Sequence, residues 1–573
     1  MANTVPRPEH PRPDFERTEW LSLNGEWEFE IDAGDSGESR GLSAGRRLAG
    51  VIRVPFCPES PLSGVGHLDF MEAVWYRRRV RVPKAWNGRR VLLHFGAVDY
   101  EATVWVNGTR VGVHRGGYVQ FSFDVTHALR PGANEIVVRA VDRIRTRLQP
   151  SGKQSHRHES YGCMYRRTTG IWQSVWMEAV GETYLERITV TPDLDSGRVL
   201  IQADVQGPPA AVRAVVRSGR TVVAQAEAPA TWRSTFVALD VPEVCPWSPQ
   251  TPHLYELELT IARRGKPLDR VSSYFGFRKV HLDGSRFYLN GEVLFQRLVL
   301  DQGFYPKGIY TARSDRALKQ DIELGQAMGF NGARLHQKVF EPRFLYWADR
   351  LGYLVWGEFP DWGLDMSDAA AMENLAAEWI EVVQRDRNHP AIIGWCPTNE
   401  TAVNQRRESI EHLYRVTRAL DPARPIIDTS GYTHVLTDVD DNHDYAQNPR
   451  EFKKREDPLM QGKPFRNRPE HDAPYCGQPF ICSEFGGIWW NPGQKDREAW
   501  GYGERPRSAA EFLTRLRGLT NALVKNPSMS GFCYTQLTDV EQEVNGLYTF
   551  DRKPKFPADT IAKIFRAKAA IEC

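Results

Sequence analysis

Two glutamates in the second half of the chain each end an apolar run. Glu400 follows Gly394-Trp395-Cys396-Pro397-Thr398-Asn399, and Glu484 follows Phe480-Ile481-Cys482-Ser483. Two carboxyls that face each other can cleave a glycosidic bond. One protonates the leaving oxygen while the other attacks the anomeric carbon or directs water at it. The proton donor has to be held protonated by burial or a neighbouring anion, and the attacker has to be held ionised by hydrogen bonds. Either glutamate alone would read equally as a helix N-terminal charge or a loop salt bridge. Further polar residues end apolar runs in the same region: Asp301, Arg334 with His336, Asp361 with Trp362, Asn399, His443 with Tyr445, Trp489 and Tyr534. Asn399 could hold a sugar 2-hydroxyl, and Tyr445 or His443 could hold the Glu484 carboxylate. The plainer readings are a core histidine at His336 and barrel packing at Trp362. The run Asp438, Asp440 and Asp441 reads as a solvated loop, with a cation site there or near Asp301 left open. No His-Glu-x-x-His zinc motif occurs.

The elements that must position these residues come in three blocks. Over 1–180, short alternating runs such as Glu26–Ile31, Val74–Val82, Arg90–Phe95 and Glu135–Val141 are broken by Asn-Gly and Pro-Gly turns. That pattern predicts a β-sandwich of jelly-roll type. Over 181–280, Arg187–Val190, Val199–Val205, Ala211–Val216, Thr235–Asp240 and Leu254–Ala262 predict an immunoglobulin-like β-sandwich. From 281 to 573, apolar runs of strand length alternate with stretches of helical period, the signature of a (β/α)₈ TIM barrel. Its expected strands are Val293–Val299, Gly332–Leu335, Tyr353–Gly357, Ala391–Pro397, Pro425–Asp428, Val435–Asn442, Pro479–Ser483 and Ser530–Gln536. In such a barrel the carboxyl ends of the strands build the active site, where the candidate residues fall.

Composition narrows the function. In 573 residues, Lys plus Arg number 74 and Asp plus Glu 72, a net charge of +2, so no large field draws polyanions. No nucleic-acid or membrane partner is expected, and no apolar run of spanning length occurs. Eight scattered cysteines without metal-ligand spacing, and an N-terminus without an apolar stretch, predict a cytoplasmic protein with free thiols.

The same residues carry a resemblance to glycoside hydrolase family two, the β-galactosidase, β-glucuronidase and β-mannosidase family, over essentially the full chain. The N-terminal motifs are Leu23-Asn24-Gly25-Glu26-Trp27, Trp75-Tyr76-Arg77-Arg78, Val104-Trp105-Val106-Asn107-Gly108 and Arg167-Thr168-Thr169-Gly170-Ile171-Trp172. Phe275-Gly276-Phe277-Arg278 is similar to the junction into the barrel. Asn388-His389-Pro390 through Asn399-Glu400, and Ser483-Glu484-Phe485-Gly486-Gly487, resemble the catalytic motifs. The resemblance implies that Glu400 is the acid/base and Glu484 the nucleophile of a retaining exo-β-glycosidase, with carboxyls about 5–5.5 Å apart. It places Arg334, His336 and Asn399 in the subsite of the released sugar, and has the front sandwich wall off the pocket. No cofactor is required, a carbohydrate is the partner, and a homo-oligomer is left open. Family β-glucuronidases carry an Asn-x-Lys signature where this chain reads Glu541–Thr549 without lysine. The expected substrate is therefore a neutral sugar, as for a β-galactosidase. The alternatives are a β-glucuronide or β-galacturonide held by Arg334, Lys338 or another base, and an arabinoside. A non-catalytic carbohydrate-binding protein is the reading from another class, against which both glutamates stand.

Overall fold

Residues 5–493 and 498–572 are described by a computed structural model. Cys573 lies outside the described residues. The first block folds into a six-stranded and a four-stranded antiparallel sheet. Alternation along Gly25–Ile31, Ala73–Arg81, Glu101–Val106 and Ala133–Val141 sends Trp27, Phe29, Tyr76, Val104, Ile136 and Val138 into one core. Asn24 ties the edges together. Its Oδ1 accepts from Val175 N at 3.0 Å, and its Nδ2 donates to Arg7 O and Ser174 Oγ. The second block is a three-stranded sheet on a four-stranded one, with Leu185, Ile201, Val216, Leu257 and Val271 in the core between them.

A short meander, Val280–Asp283, Arg286–Leu289 and Glu292–Val293, leads into the barrel. It takes the start of the strand expected at Val293–Val299. The first barrel strand, β1, is Gln296–Asp301. It is followed by β2 Gly332–Leu335, β3 Leu354–Glu358, β4 Ile392–Cys396, β5 Asp440–Asp444, β6 Phe480–Gly486 and β7 Met529–Thr535. All are parallel, in the order β4-β3-β2-β1-β7-β6-β5. The helices are α1 Asp315–Ala327, α2 Pro342–Leu351, α3 Ala369–Asp386, α4 Arg407–Leu420, α5 Pro449–Glu456, α6 Ala509–Val524 and α7 Ala558–Phe565. Among the described residues no helix is long and apolar enough to cross a membrane.

Two expected strands turn out differently. Pro425–Asp428 fills the place between β4 and β5 but joins β4 through a single bridge: Trp395 N donates to Pro425 O at 3.1 Å, and Ile427 N to Trp395 O at 3.0 Å. Asp428 then turns the chain. Its carboxylate accepts from Val435 N at 2.6 Å and Leu436 N at 2.9 Å and lies 2.7 Å from His434 Nδ1. With those amides taken, Val435 and Leu436 cannot pair as a strand, and β5 starts only at Asp440. Asp440 and Asp441 are buried in β5, not in a solvated loop. Arg466 pairs with Asp440, and His434 Nε2 lies 3.0 Å from Asp441. The charged stretch 450–475 holds most of α5, capped by Asn448 with Pro449 in its first turn.

The motif Asn388-His389-Pro390 docks the second sandwich. Asn388 Oδ1 accepts from Val190 N at 2.9 Å, its Nδ2 donates to Ile188 O at 3.0 Å, and Arg278 Nε donates to Pro390 O at 3.0 Å. β4 follows this joint directly, so one motif fixes the domain contact and aims Glu400.

Candidate active site

Past the carboxyl end of β4, Glu400 sits in left-handed backbone (φ +49°), held by its N–H donating to Ser430 O at 2.9 Å. A non-glycine residue there stores strain that the surrounding structure has to hold. β6 delivers Glu484 within the strand. Gly486 and Gly487 follow at φ +80° and +56°, and a Cβ on either would strike Tyr534 at 2.5 Å or Tyr502 at 2.3 Å. The glycines thus let the chain turn away beneath two tyrosine rings. Glu400 and Glu484 line one cavity of about 170 Å³ at the strand ends. Larger clefts of about 510 and 530 Å³ lie elsewhere, and neither contains this carboxyl pair.

The carboxylates have different supports. Arg334 Nη1 donates to Glu484 Oε1 at 2.8 Å, and Tyr445 OH donates to Oε2 at 2.5 Å. Arg334 is itself aimed by Glu358, which accepts from its Nε at 2.6 Å, and by Asn399 Oδ1. Glu400 Oε1 lies 2.7 Å from His443 Nδ1, and His443 Nε2 lies 3.5 Å from Glu484 Oε1. One ligand atom from each of Glu400, His443 and Glu484 lies within 4.8 Å of the other two, near enough together to hold a cation.

Burial opposes the charge of Glu484, but His443 and Arg334 outweigh it and hold this carboxyl below the usual range. Burial likewise opposes charging His443, and Glu484 with Glu400 overcomes it, so the imidazole titrates above its usual value. The Glu400 side chain is 18% exposed and that of Glu484 6%, so the more accessible carboxyl is the one next to His443.

Of the residues expected at the site, His336, Trp362, Glu400, His443, Tyr445 and Glu484 line this cavity. Arg334 and Asn399 lie buried beneath it, and Asn399 Nδ2 has no acceptor among the described residues. Asp361 is also in the supporting layer, accepting from Gln337 Nε2 at 2.6 Å and Asn399 N at 3.1 Å.

Asp301, Tyr534 and Trp489, also expected at the site, are not among the residues that line the cavity. Successive strand residues face opposite ways. Leu300 and Thr535 therefore reach the cavity, while Asp301 caps Gly303 N at 2.9 Å and Tyr534 packs on Phe485 and Phe565. Trp489 is half-buried, in the loop after β6 and close against Gly501.

The cavity also holds residues that the strand ends did not indicate: Lys153 and Cys163 from the end of the first sandwich, and Tyr432, Asn467, Tyr502 and Glu543 from barrel loops. Asn467 lies in the charged stretch without periodicity. The only signal at Glu543 is its place in the segment Glu541–Thr549.

Comparison with known proteins agrees with this architecture. Models of "Glycosyl hydrolase 2 galactose-binding domain-like", "Glycosyl hydrolases family 2" and "Glycosyl hydrolases family 2, TIM barrel domain" match residues 56–174, 183–278 and 311–568. The β-glucuronidase of Paenibacillus borealis is 26% identical over 70% of this chain and 72% of its own. The β-galactosidase of Thermoanaerobacter pseudethanolicus is 27% identical over 66% of this chain and 52% of its own. Other relatives are matched over less of their length, as little as 38% for a putative β-glucuronidase of Formosa agariphila. The structure of a β-glucuronidase from Ruminococcus gnavus in complex with D-glucuronic acid superposes with a TM-score of 0.80, at 19% identity, over 98% of this chain and 100% of that one. With matches to all three of its domain models in sequence order, this chain belongs to glycoside hydrolase family 2.

Proposed function

We propose that this chain is a retaining exo-β-glycosidase that releases a terminal β-linked uronic acid. The observation that carries the reading is the carboxyl pair, with an oxygen of Glu400 and one of Glu484 within 4.8 Å in one pocket. That is the short separation of double displacement, below the wider spacing of inverting enzymes. Glu484, kept ionised by Arg334, Tyr445 and His443, attacks the anomeric carbon. Glu400 protonates the departing oxygen, and a glycosyl ester forms on Glu484. Glu400 then takes a proton from water, which breaks the ester and frees the sugar with its configuration retained. A cavity of about 170 Å³ suits one sugar ring, hence exo action. The β-glucuronidases among the relatives support a uronide. The free thiols, Cys57, Cys396, Cys482 and Cys533 buried among them, fit a reducing, cytoplasmic setting.

A neutral β-galactoside is the second reading, favoured by the β-galactosidase relative and by Glu543, which brings a third carboxylate into the cavity. Initial rates on aryl β-glucuronide, β-galacturonide, β-galactoside, β-glucoside, β-mannoside and α-L-arabinosides separate the two. Glu484→Gln is expected to abolish turnover, and azide to rescue Glu484→Gly with formation of the inverted glycosyl azide. Glu400→Ala should spare good leaving groups far more than poor ones. Equal losses on both would remove Glu400 from the acid role.

A further inference from the structure

We infer that Lys153, delivered by the first sandwich, is the residue that selects a uronic acid by pairing with its carboxylate. The inference rests on the glycosidase reading above and names the specificity residue of that site.

The segment from Ser151 to Tyr165 is fastened to the barrel mouth at both ends. Ser151 N donates to Trp362 O at 3.0 Å and Gly152 N to Pro360 O at 3.1 Å. At the far end, Gln542 Nε2 donates to Gly162 O at 2.7 Å and Met164 O at 3.0 Å, and Tyr165 OH donates to Glu543. Lys153 is thereby held rigidly in the cavity wall and is only 5% exposed. Its Nζ lies 5.3 Å from the Trp362 ring and 5.9 Å from the Tyr165 ring, and among the described residues it has no hydrogen-bond acceptor or ion-pair partner.

Each cavity carboxylate already has a donor or close cation. Glu484 has Arg334 and Tyr445, Glu400 has His443, and Glu543 has Tyr165 OH on Oε2 and Asn545 Nδ2 on Oε1 at 3.0 Å. Burial opposes the Lys153 charge, but the nearby Glu543, Glu484 and Glu400 carboxylates outweigh it, so the side chain enters the cavity as an ammonium with no direct partner among the described residues, which a substrate carboxylate would supply. Of the other bases near the site, Arg468 lies exposed over the Tyr432 ring at 5.3 Å, and two buried ones are spent. Arg334 is divided among Glu358, Glu484 and Asn399, and Lys338 Nζ donates to Gly303 O at 2.5 Å and Tyr310 O at 2.9 Å.

The test is kcat/KM for wild type, Lys153→Met and Lys153→Arg on p-nitrophenyl β-glucuronide, β-galacturonide, β-glucoside and β-galactoside. Wild type should prefer a uronide. In Lys153→Met the uronide-to-neutral ratio should fall about 100-fold, mostly through KM, with Lys153→Arg recovering part of it. An unchanged ratio in Lys153→Met, from equal losses on all four, would show a structural role and overturn the assignment. Wild-type activity confined to neutral sugars and abolished by Glu484→Gln would overturn it too, while leaving the glycosidase standing. Silence of wild type on every glycoside would instead overturn the glycosidase reading.

Discussion

His443 stands between two carboxylates that have to behave differently. Its Nδ1 is 2.7 Å from Glu400 and its Nε2 3.5 Å from Glu484, and its charge helps hold the Glu484 carboxyl low. Removing that cation raises the nucleophile's pKa, so its ionised form is lost at a higher pH. For His443→Asn the acid limb of kcat/KM should move up by about one pH unit, and kcat should fall roughly 10- to 100-fold. An acid limb that stays in place would remove His443 from this role. At this scale the sequence was legible where a carboxyl ended an apolar run, as at Glu400 and Glu484. It was illegible by one residue at Asp301 against Leu300 and at Tyr534 against Thr535. An apolar run buried on both faces does not say which of two neighbours turns inward.

At the scale of the element, β3 and β4 interlock through glycines facing tryptophans. A Cβ on Gly394 would meet the Trp356 ring at 2.4 Å, and one on Gly357 would meet the Trp395 ring at 2.6 Å. Both rings are fully buried and cannot swing out. Gly394→Ala should therefore destabilise the fold by about 1–3 kcal/mol, measured as a lower urea midpoint. An unchanged midpoint would mean that Trp356 has space to slide. Most barrel elements were legible because apolar runs and helical periods alternate. The segment from Pro425 to Asn442 was not, because the Asp428 carboxylate captures the amides of Val435 and Leu436. A side chain closing on backbone seven and eight residues away leaves no periodicity to read.

At the scale of the molecule, Arg17 joins the two sandwiches. Its Nη1 donates to Glu178 Oε2 at 2.6 Å, and its Nε and Nη2 donate to the two Asp269 oxygens, each at 2.9 Å. Burial opposes the charge of Glu178, but His94 and Arg17 overcome it and hold its pKa well below the ordinary carboxylate value. A depressed carboxylate contributes stability that is present above its unfolded pKa, about 4.3, and is lost as pH falls toward the folded value. Arg17→Met should cost about 3–5 kcal/mol near neutral pH by stranding two buried carboxylates. It should also flatten the stability-against-pH curve below about pH 4.3. Urea titrations at several pH values test both, and a curve parallel to that of wild type would remove Arg17 from the linkage.

The sequence by itself determined the order of two sandwiches and a barrel, and the two glutamates that chemistry would need. Those rest on local periodicity and on carboxyls at strand ends, which are written along the chain. Tertiary structure alone decided what surrounds them. Lys153 is some 250 residues from Glu400 in sequence, yet it shares one cavity with Glu400 and Glu484. It arrives there because the segment from Ser151 to Tyr165 hydrogen-bonds to the loops after β3 and β7. A contact made by folding one domain over another's mouth has no spacing rule, and so the pocket's wall, and with it the sugar it selects, belongs to the fold.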